Sequence, residues 1–309
     1  MRLLTCIFVL LATTVNGQKQ MAITVDDLPT VSKYHTSSEA QQNLTRKILR
    51  HLTAYQVPAV GFVIGDFLRT NSQPDPNRIK LLSMWLDAGL ELGNHTLAHK
   101  DYNLVSFDEL KADVIGGEQI TKGLVQKRGK PFRYFRHPYL RKGDTQAKKD
   151  SLEAFLKRRG YREAPVTIDN SDWLFSRAYA NALLVNDTVL AARVGKTYVD
   201  YMMNCVAYYE AQSDSLFDRP ISQTLLIHAN AINADYLDTL LARLKERGYA
   251  FVSLEKALSD TAYQSVDHFY GKGGISWLHR WALTQGKKGT FFKGEPEVPT
   301  TIEELANRN

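Results

Sequence analysis

The stretch Met21-Ala22-Ile23-Thr24-Val25-Asp26-Asp27 is a short apolar run that ends in two carboxylates. Apolar and β-branched residues over this length predict a buried strand. Consecutive strand residues point to opposite faces, so Asp26 and Asp27 can both reach one centre only where the strand is ending. The same order, a strand followed by chemically active side chains, recurs along the chain and guides the interpretation of the fold.

Short apolar runs alternate with longer amphipathic stretches between residues 21 and 258. We predict strands at residues 21–25, 60–64, 90–93, 133–136, 165–168, 224–227 and 249–253. We predict helices at residues 38–55, 77–88, 106–125, 146–159, 176–213 and 234–247. Repeated strand–helix units imply an α/β fold with a parallel sheet. About seven strands fit an incomplete or distorted (β/α) barrel, with an open doubly wound sheet as the alternative.

Residues 93–99 (GNHTLAH) place two histidines four positions apart. On a helix, His95 and His99 would project from the same face and could bind one ion. Metalloproteases with this spacing carry a glutamate directly after the first histidine as general base, but here that position is Thr96, so a base must come from elsewhere. With Asp27, the pair forms a three-ligand set with an open position for water, as in catalytic zinc sites.

Further polar groups follow the other predicted strands. Residues 136–139 (RHPY) follow the fourth strand, residues 169–173 (DNSDW) follow the fifth, and His228 follows the sixth. In parallel α/β barrels, residues at the carboxyl ends of the strands converge on the active site. We therefore expect these groups to meet the aspartates and the histidine pair at one centre.

Chemistry assigns a role to most of these groups. Asp26, beside a metal that lowers the pKa of water, can take a proton as general base, and His228 can protonate the leaving group. Arg136 can pair with Asp26 or with Asp169 and keep the base ionised. The backbone N–H of Tyr139 is a candidate donor to an oxyanion.

In this order, the motifs resemble those of the polysaccharide deacetylase (NodB-homology) family, also called carbohydrate esterase family 4. The resemblance extends to about Leu258 and rests on residues 24–28 (TVDDL), 95–99 (HTLAH), 136–139 (RHPY), 169–173 (DNSDW) and 225–228 (LLIH). Two departures concern the substrate groove: Leu28 and Pro29 replace a glycine after the aspartates, and the connection between Trp173 and Thr224 is long and helical.

The resemblance implies a distorted (β/α) barrel of the NodB-homology type that holds Zn²⁺, or a similar divalent metal such as Co²⁺, Mn²⁺ or Ni²⁺. It implies these site residues: metal ligands Asp27, His95 and His99, base Asp26, acid His228, their tuning residues Arg136 and Asp169, and substrate contacts Tyr139 and Trp173. The implied reaction is hydrolysis of an acetyl group from an amine or hydroxyl of a glycan. Two alternatives stay open: a hydrolase of C–N bonds in a small non-sugar amide, and a non-catalytic glycan-binding protein on the same scaffold.

The amino terminus predicts export. Met1 and Arg2 precede an apolar run at residues 3–15, so we expect a signal peptide at residues 1–17, with an uncleaved anchor as the alternative. Periplasmic or secreted localisation follows. We expect the catalytic domain at residues 18–259 and, at residues 260–309, a C-terminal appendage packed on the barrel.

Composition and charge exclude some function classes. The 309 residues are 44% hydrophobic and 23% charged, as in an ordinary globular protein, and no segment after the amino terminus predicts a transmembrane anchor. The net charge of +6 favours anionic partners, but an exported protein rarely meets nucleic acid, so we expect no nucleic-acid partner. The partner that the resemblance implies is an acetylated glycan. The sequence predicts no particular oligomeric state.

Overall fold

The computed structural model describes residues 18–308, so the predicted signal peptide lies outside the described residues. The strands are β1 (Lys19–Leu28), β2 (Val60–Val63), β3 (Arg69–Thr70), β4 (Gln73–Pro74), β5 (Glu91–Asn94), β6 (Tyr134–Phe135), β7 (Arg162–Glu163), β8 (Gln223–His228) and β9 (Tyr249–Phe251). The helices are α1 (Ser38–Ala54), α2 (Pro76–Asp87), α3 (Phe107–Gln126), α4 (Gln146–Arg158), α5 (Asp172–Leu184), α6 (Thr188–Phe217), α7 (Ala231–Glu246), α8 (Leu254–Ala257), α9 (Trp277–Thr284) and α10 (Thr300–Ala306).

Seven strands form one parallel sheet. Its order is β7-β6-β5-β2-β1-β8, and β9 also pairs with β1. A single bridge between Ile168 and Leu225 joins the segment after β7 to β8, so the curled sheet almost closes on itself. This arrangement confirms the distorted (β/α) barrel over the open doubly wound alternative, and it brings the carboxyl ends of the strands to one face.

The central strand β1 is buried along most of its length, because it has paired neighbours on both edges and helices outside it. Met21, Ile23 and Val25 are almost fully buried in the core. Strands buried on both faces are typically continuous apolar runs, which is the pattern seen in the sequence. Within residues 18–308, no helix combines the length and the apolar character that crossing a bilayer requires.

Two predicted elements differ in the structure. The helix predicted at residues 176–213 is two helices, α5 and α6, because Asn186 adopts a left-handed φ of 57° and the Asp187 side chain caps the amino end of α6. The apolar pattern continues through this break, so periodicity did not reveal it. The strand predicted at residues 165–168 contributes only the bridge at Ile168, and the regular pairing lies earlier, in β7.

The segment after Ser259 contacts the barrel through main-chain hydrogen bonds. The N–H of Trp277 donates to the carbonyl of Val166 at 2.7 Å, and Ser276 Oγ donates to the carbonyl of Thr167 at 2.7 Å. Helix α10 packs against α5. The segment therefore packs against residues 166 and 167, which follow β7. Its boundary with the catalytic domain stays a prediction.

Candidate active site

One pocket of about 550 Å³ lies at the carboxyl ends of the strands. The predicted residues that line it are Asp26, Asp27, His95, His99, Tyr139, Asp169, Trp173 and His228. Arg136 is fully buried directly behind them, with its Nε 3.5 Å from Asp26 Oδ1. The structure therefore brings the sequence-predicted residues together, although some contacts between them differ from those expected.

Three side chains turn possible ligand atoms toward one point. Asp27, His95 and His99 each offer one ligand atom, and these atoms lie within 4.8 Å of one another. His95 Nε2 is 3.4 Å from Asp27 Oδ1 and 3.2 Å from His99 Nε2. Asp27 Oδ1 is buried and has no hydrogen-bond partner among the described residues. Two imidazole nitrogens and one carboxylate oxygen are a zinc donor set, so the residues present fit a divalent metal.

The two histidines lie in a loop, not on the helix that their spacing predicted. Strand β5 ends at Asn94 and α3 begins only at Phe107. Thr96 and His99 adopt left-handed φ angles of 66° and 53°. These residues turn the chain back on itself, so that the ring centroids of His95 and His99 lie 4.7 Å apart. The predicted helical geometry is wrong, because the turn of the loop rather than a helix face brings the two rings together.

Helix α3 holds this loop through Asp113 and Gly117. The Asp113 carboxylate accepts hydrogen bonds from the backbone N–H groups of Ala98, at 2.9 Å, and Lys100, at 3.3 Å. A Cβ at Gly117 would lie 2.6 Å from the carbonyl carbon of Thr96, so only glycine lets the loop pack directly on the helix. Sequence reasoning missed both residues. The available signal was a glycine inside a helix, which costs about 1 kcal/mol relative to alanine.

Hydrogen bonding and burial prepare the histidine pair for a metal. His95 Nδ1 lies 2.9 Å from the carbonyl oxygen of Arg136, which can only accept, so Nδ1 carries the proton and Nε2 is free to coordinate. Burial lowers the pKa of His99 to about 3, helped by the His95 ring and opposed by Asp27. The ring of His99 is therefore neutral and has one nitrogen lone pair with which it can coordinate a metal.

His228 has a different environment. Its Nδ1 donates to Asp172 Oδ1 at 2.6 Å, and its backbone N–H donates to Asp172 Oδ2 at 2.8 Å. Burial alone would lower the pKa of His228, but the charge and the hydrogen bond of Asp172, together with Asp27 and Asp26, outweigh it and raise the pKa to about 10. The ring is therefore a cation that keeps a proton on Nε2, which lies 4.0 Å from Asp27 Oδ2.

The contact to His228 comes from Asp172, whereas the resemblance implied a tuning role for Asp169 in the same motif. Asp172 is fully buried and also accepts from the side chain of Asn233 at 2.9 Å. Asp169 accepts from the backbone N–H of Asn170, and burial raises its pKa to about 7. Asp169 lines the pocket without a hydrogen bond to the His228 ring, and its role stays a prediction.

Arg136 pairs with Asp26, one of the two partners that the sequence left open. Besides its contact with Asp26, the guanidinium donates to Thr24 Oγ1 at 2.6 Å. Burial lowers the pKa of Arg136, opposed by the charges of Asp26 and Asp169, and guanidinium stays charged in proteins. Asp26 Oδ1 is buried and has no hydrogen-bond partner among the described residues. The arrangement is a carboxylate beside a fixed positive charge, with an oxygen left to accept a proton.

Two aromatic side chains stand at the rim of the pocket. Tyr139 is 52% exposed and Trp173 is 47% exposed, so Trp173 is a surface residue and not part of the core. The Tyr139 ring packs against His99 with centroids 4.5 Å apart, and its backbone has a left-handed φ of 55°. Exposed aromatic faces beside a polar pocket can stack on a sugar ring.

Comparisons with known proteins indicate the family that this chain resembles. The polysaccharide deacetylase family model matches residues 14–161. The chain is 26% identical over 235 residues to an uncharacterised 30.6 kDa protein of Geobacillus stearothermophilus, covering 75% of this chain and 72% of that protein. It is 26% identical over 157 residues to a peptidoglycan-N-acetylglucosamine deacetylase of Bacillus cereus, covering 51% of this chain and 47% of the relative.

Solved structures share the fold. A pseudoenzyme of carbohydrate esterase family 4 from Bacillus anthracis superposes with a TM-score of 0.53 at 18% identity, over 79% of this chain and 66% of that one. At this identity the likeness concerns the barrel alone. The family match, together with the relatives, confirms the resemblance found in the motifs. Residues 14–161 match the polysaccharide deacetylase family model, and this match supports carbohydrate deacetylase as the activity class of the chain.

Proposed function

We propose that this protein is a metal-dependent hydrolase that removes acetyl groups from an acetylated glycan. The observation that carries the proposal is the placement of two proton-transfer groups beside one set of metal donors. Asp26 Oδ2 lies 3.8 Å from His95 Nε2, and His228 Nε2 lies 4.0 Å from Asp27 Oδ2. A protein that only bound a glycan would need neither the Asp26 carboxylate nor a cationic His228 at this place.

The residues divide the hydrolysis between them. A divalent metal held by Asp27, His95 and His99 would polarise the acetyl carbonyl and lower the pKa of a water molecule. Asp26 accepts the proton of the attacking water, and Arg136, whose Nε lies 3.5 Å from Asp26 Oδ1, holds that carboxylate in place. His228 then donates its Nε2 proton to the leaving nitrogen or oxygen of the sugar, so that acetate and the free amine or hydroxyl are released.

Residues around this centre orient the substrate. Asp172 fixes the His228 ring through Nδ1, which directs Nε2 toward the pocket. We propose the backbone N–H of Tyr139 as the donor to the developing oxyanion, and the rings of Tyr139 and Trp173 as surfaces that stack on the sugar. Zinc is the metal we propose, because two histidines and one carboxylate are a common catalytic zinc set.

The substrate we propose is a glycan of N-acetyl amino sugars, outside the cytoplasm. The relative from Bacillus cereus, a peptidoglycan-N-acetylglucosamine deacetylase, supports the amide substrate, and the predicted signal peptide supports export. O-acetyl sugars are the alternative within the same chemistry, because His228 can protonate an alkoxide as well as an amine.

Acetate release tests the proposal. Purified protein with zinc is incubated with N-acetylglucosamine oligomers and, separately, with acetylated xylan, and the Asp26→Asn variant is the control. We expect acetate from the amino-sugar oligomers that the variant does not release. Release from neither glycan, with zinc bound in a one-to-one ratio, would overturn the proposal and favour a small non-sugar amide or a glycan-binding role.

A further inference from the structure

A glycine-rich loop from the C-terminal segment reaches the active-site pocket. Residues 270–276 (YGKGGIS) follow the last strand of the barrel and precede α9, and they lie beyond residues 14–161, which the family model matches. Gly274 from this loop lines the same pocket as the proposed metal ligands. The C-terminal segment therefore touches the site directly.

Gly274 lies against the main chain of Tyr139. A Cβ at position 274 would be 1.6 Å from the carbonyl oxygen of Tyr139 and 2.8 Å from its carbonyl carbon. These are backbone atoms, which cannot rotate away as a flexible side chain could. The φ of Gly274 lies outside the left-handed region, so the position needs glycine for space and not for conformation.

The neighbouring Gly273 has no such constraint. A Cβ there would meet only Cγ2 of Ile275, at 3.5 Å, which is ordinary van der Waals contact. Two adjacent glycines of one loop therefore differ in a single respect, the close approach to Tyr139. This difference provides a matched pair of substitutions.

Tyr139 connects the glycine contact to the proposed metal ligands. Its backbone is held at a φ of 55° and a ψ of 18°, a region that few residues other than glycine adopt without support from their surroundings. Its ring packs on His99, and the guanidinium of Arg141 lies 5.5 Å from the ring centroid on a cation–π contact. A shift of the Tyr139 main chain would therefore move both its N–H group and the ring that contacts His99.

The loop is fixed on both sides of Gly274. Asn103 Nδ2 donates to the carbonyl oxygens of Gly271, at 3.2 Å, and Lys272, at 3.1 Å. On the other side, Ser276 Oγ donates to the buried carbonyl of Thr167 at 2.7 Å. Because the loop is tethered at both ends, it cannot withdraw from Tyr139 without breaking these hydrogen bonds.

We propose that Gly274 is a positioning residue of the deacetylation reaction. By allowing the C-terminal loop to contact the Tyr139 main chain, it holds the Tyr139 N–H and ring in the geometry that the transition state requires. The expected effect on kcat rests on the proposed function. The expected displacement of the Tyr139 and His99 rings rests only on the contacts of residues 274, 139 and 99.

The test compares Gly274→Ala with Gly273→Ala in the purified protein. We expect kcat of Gly274→Ala to fall at least about tenfold with KM changed less than about threefold, because a displacement of 1 Å at a reacting centre can cost roughly a hundredfold. Zinc stoichiometry should stay at one. Gly273→Ala should retain the kcat and KM of the parent protein.

A second readout does not depend on activity. In the metal-free protein, NMR resonances of the His99 and Tyr139 rings should shift in Gly274→Ala and stay in place in Gly273→Ala, because the two rings pack edge to face. Equal kcat in the two variants, a change in KM alone, or unshifted His99 resonances in Gly274→Ala would overturn the inference. Inactivity of the parent protein on every glycan would overturn the proposed function, while the NMR comparison would still decide the role of Gly274.

Asn103→Ala provides a second variant if Gly274→Ala does not fold. This substitution removes the side-chain hydrogen bonds to the loop without adding an atom near Tyr139. We expect a smaller fall of kcat, about threefold to tenfold, with a shift of the same ring resonances. An Asn103→Ala variant with parental kcat and unshifted resonances would contradict the proposal.

Discussion

His95 and His228 both face Asp27, and each donates its Nδ1–H to a fixed acceptor, but the two acceptors differ in charge. For His95 the acceptor is the main-chain carbonyl of Arg136, at 2.9 Å. For His228 it is the carboxylate of Asp172, at 2.6 Å. A neutral carbonyl orients the ring and leaves Nε2 as a lone-pair donor, whereas a carboxylate stabilises an imidazolium that keeps its Nε2 proton. The charge of the acceptor therefore distinguishes the proposed metal ligand His95 from the proposed proton donor His228 within one pocket.

The largest effect on activity is expected from removing His95, the proposed metal ligand of the two histidines. His95→Ala should lose stoichiometric zinc and, with it, about a thousandfold or more in kcat/KM, because the metal supplies several kcal/mol of charge stabilisation. Zinc content by elemental analysis and acetate release measure the two losses. The exposed His268, outside the pocket, provides the control: His268→Ala should keep both metal and activity. A His95→Ala variant that binds zinc fully would contradict the ligand assignment.

Asp26→Asn should separate chemistry from metal binding. Loss of the general base should lower kcat by roughly a hundredfold to ten-thousandfold, while zinc remains bound through Asp27, His95 and His99. Parallel measurement of kcat and zinc stoichiometry checks this expectation. Near-parental kcat would show that another group accepts the proton.

Asp172→Asn should give the His228 Nδ1–H an uncharged acceptor, as the Nδ1–H of His95 already has. The pKa of His228 is raised to about 10, so its proton is present below that pH and is lost above it. An uncharged partner removes the main support of the raised pKa, so the alkaline limb of the kcat profile should move to lower pH, and kcat should fall roughly tenfold to a hundredfold. Zinc should stay bound.

Asp169→Asn is the matched control for this prediction, because Asp169 belongs to the same motif but makes no hydrogen bond to the His228 ring. Its alkaline limb should move less than that of Asp172→Asn, because Asp169 acts on His228 through its charge alone. If Asp169→Asn moved the limb and Asp172→Asn did not, the assignment of the two aspartates would be reversed.

The smallest effect is expected at the support of the histidine loop. Asp113→Asn replaces a carboxylate that accepts from two backbone N–H groups with an amide that offers one acceptor oxygen. We expect the zinc Kd to rise about tenfold, as for other residues that orient ligands without touching the metal. Competition with a chelator measures the Kd. An unchanged Kd would mean that the loop keeps its shape without this carboxylate.

The sequence predicts the placement of the site better than its internal contacts. The apolar runs before Asp26, Asp27 and His228 predict strands, and parallel packing brings the carboxyl ends of these strands to one face. The spacing of His95 and His99 predicted a helix, but the two residues lie in a loop, because β5 continues up to Asn94. Within this loop, Thr96 and His99 have left-handed φ angles, and α3 packs against the loop and supports them. Hydrophobic periodicity in the sequence does not predict left-handed residues.

Other features depend on three-dimensional proximity alone. Asp169 and Asp172 are three positions apart in one motif, and only the start of α5 decides that Asp172 points at His228. The proposed role of Gly274 depends on its lack of a Cβ atom, which lets it lie against the main chain of Tyr139, a residue 135 positions earlier in the chain. A single sequence contains no signal for either contact.

A titration of the histidine rings in the metal-free protein, followed by ¹⁵N NMR, tests the central claim most directly. Over about pH 5 to 8, the account predicts that His228 is a cation with both nitrogens protonated, while His99 is neutral. It also predicts that the neutral His95 ring carries its proton on Nδ1 and leaves the lone pair on Nε2. A His228 ring that loses its proton near the ordinary imidazole range, or a His99 ring that is charged alongside it, would contradict the account.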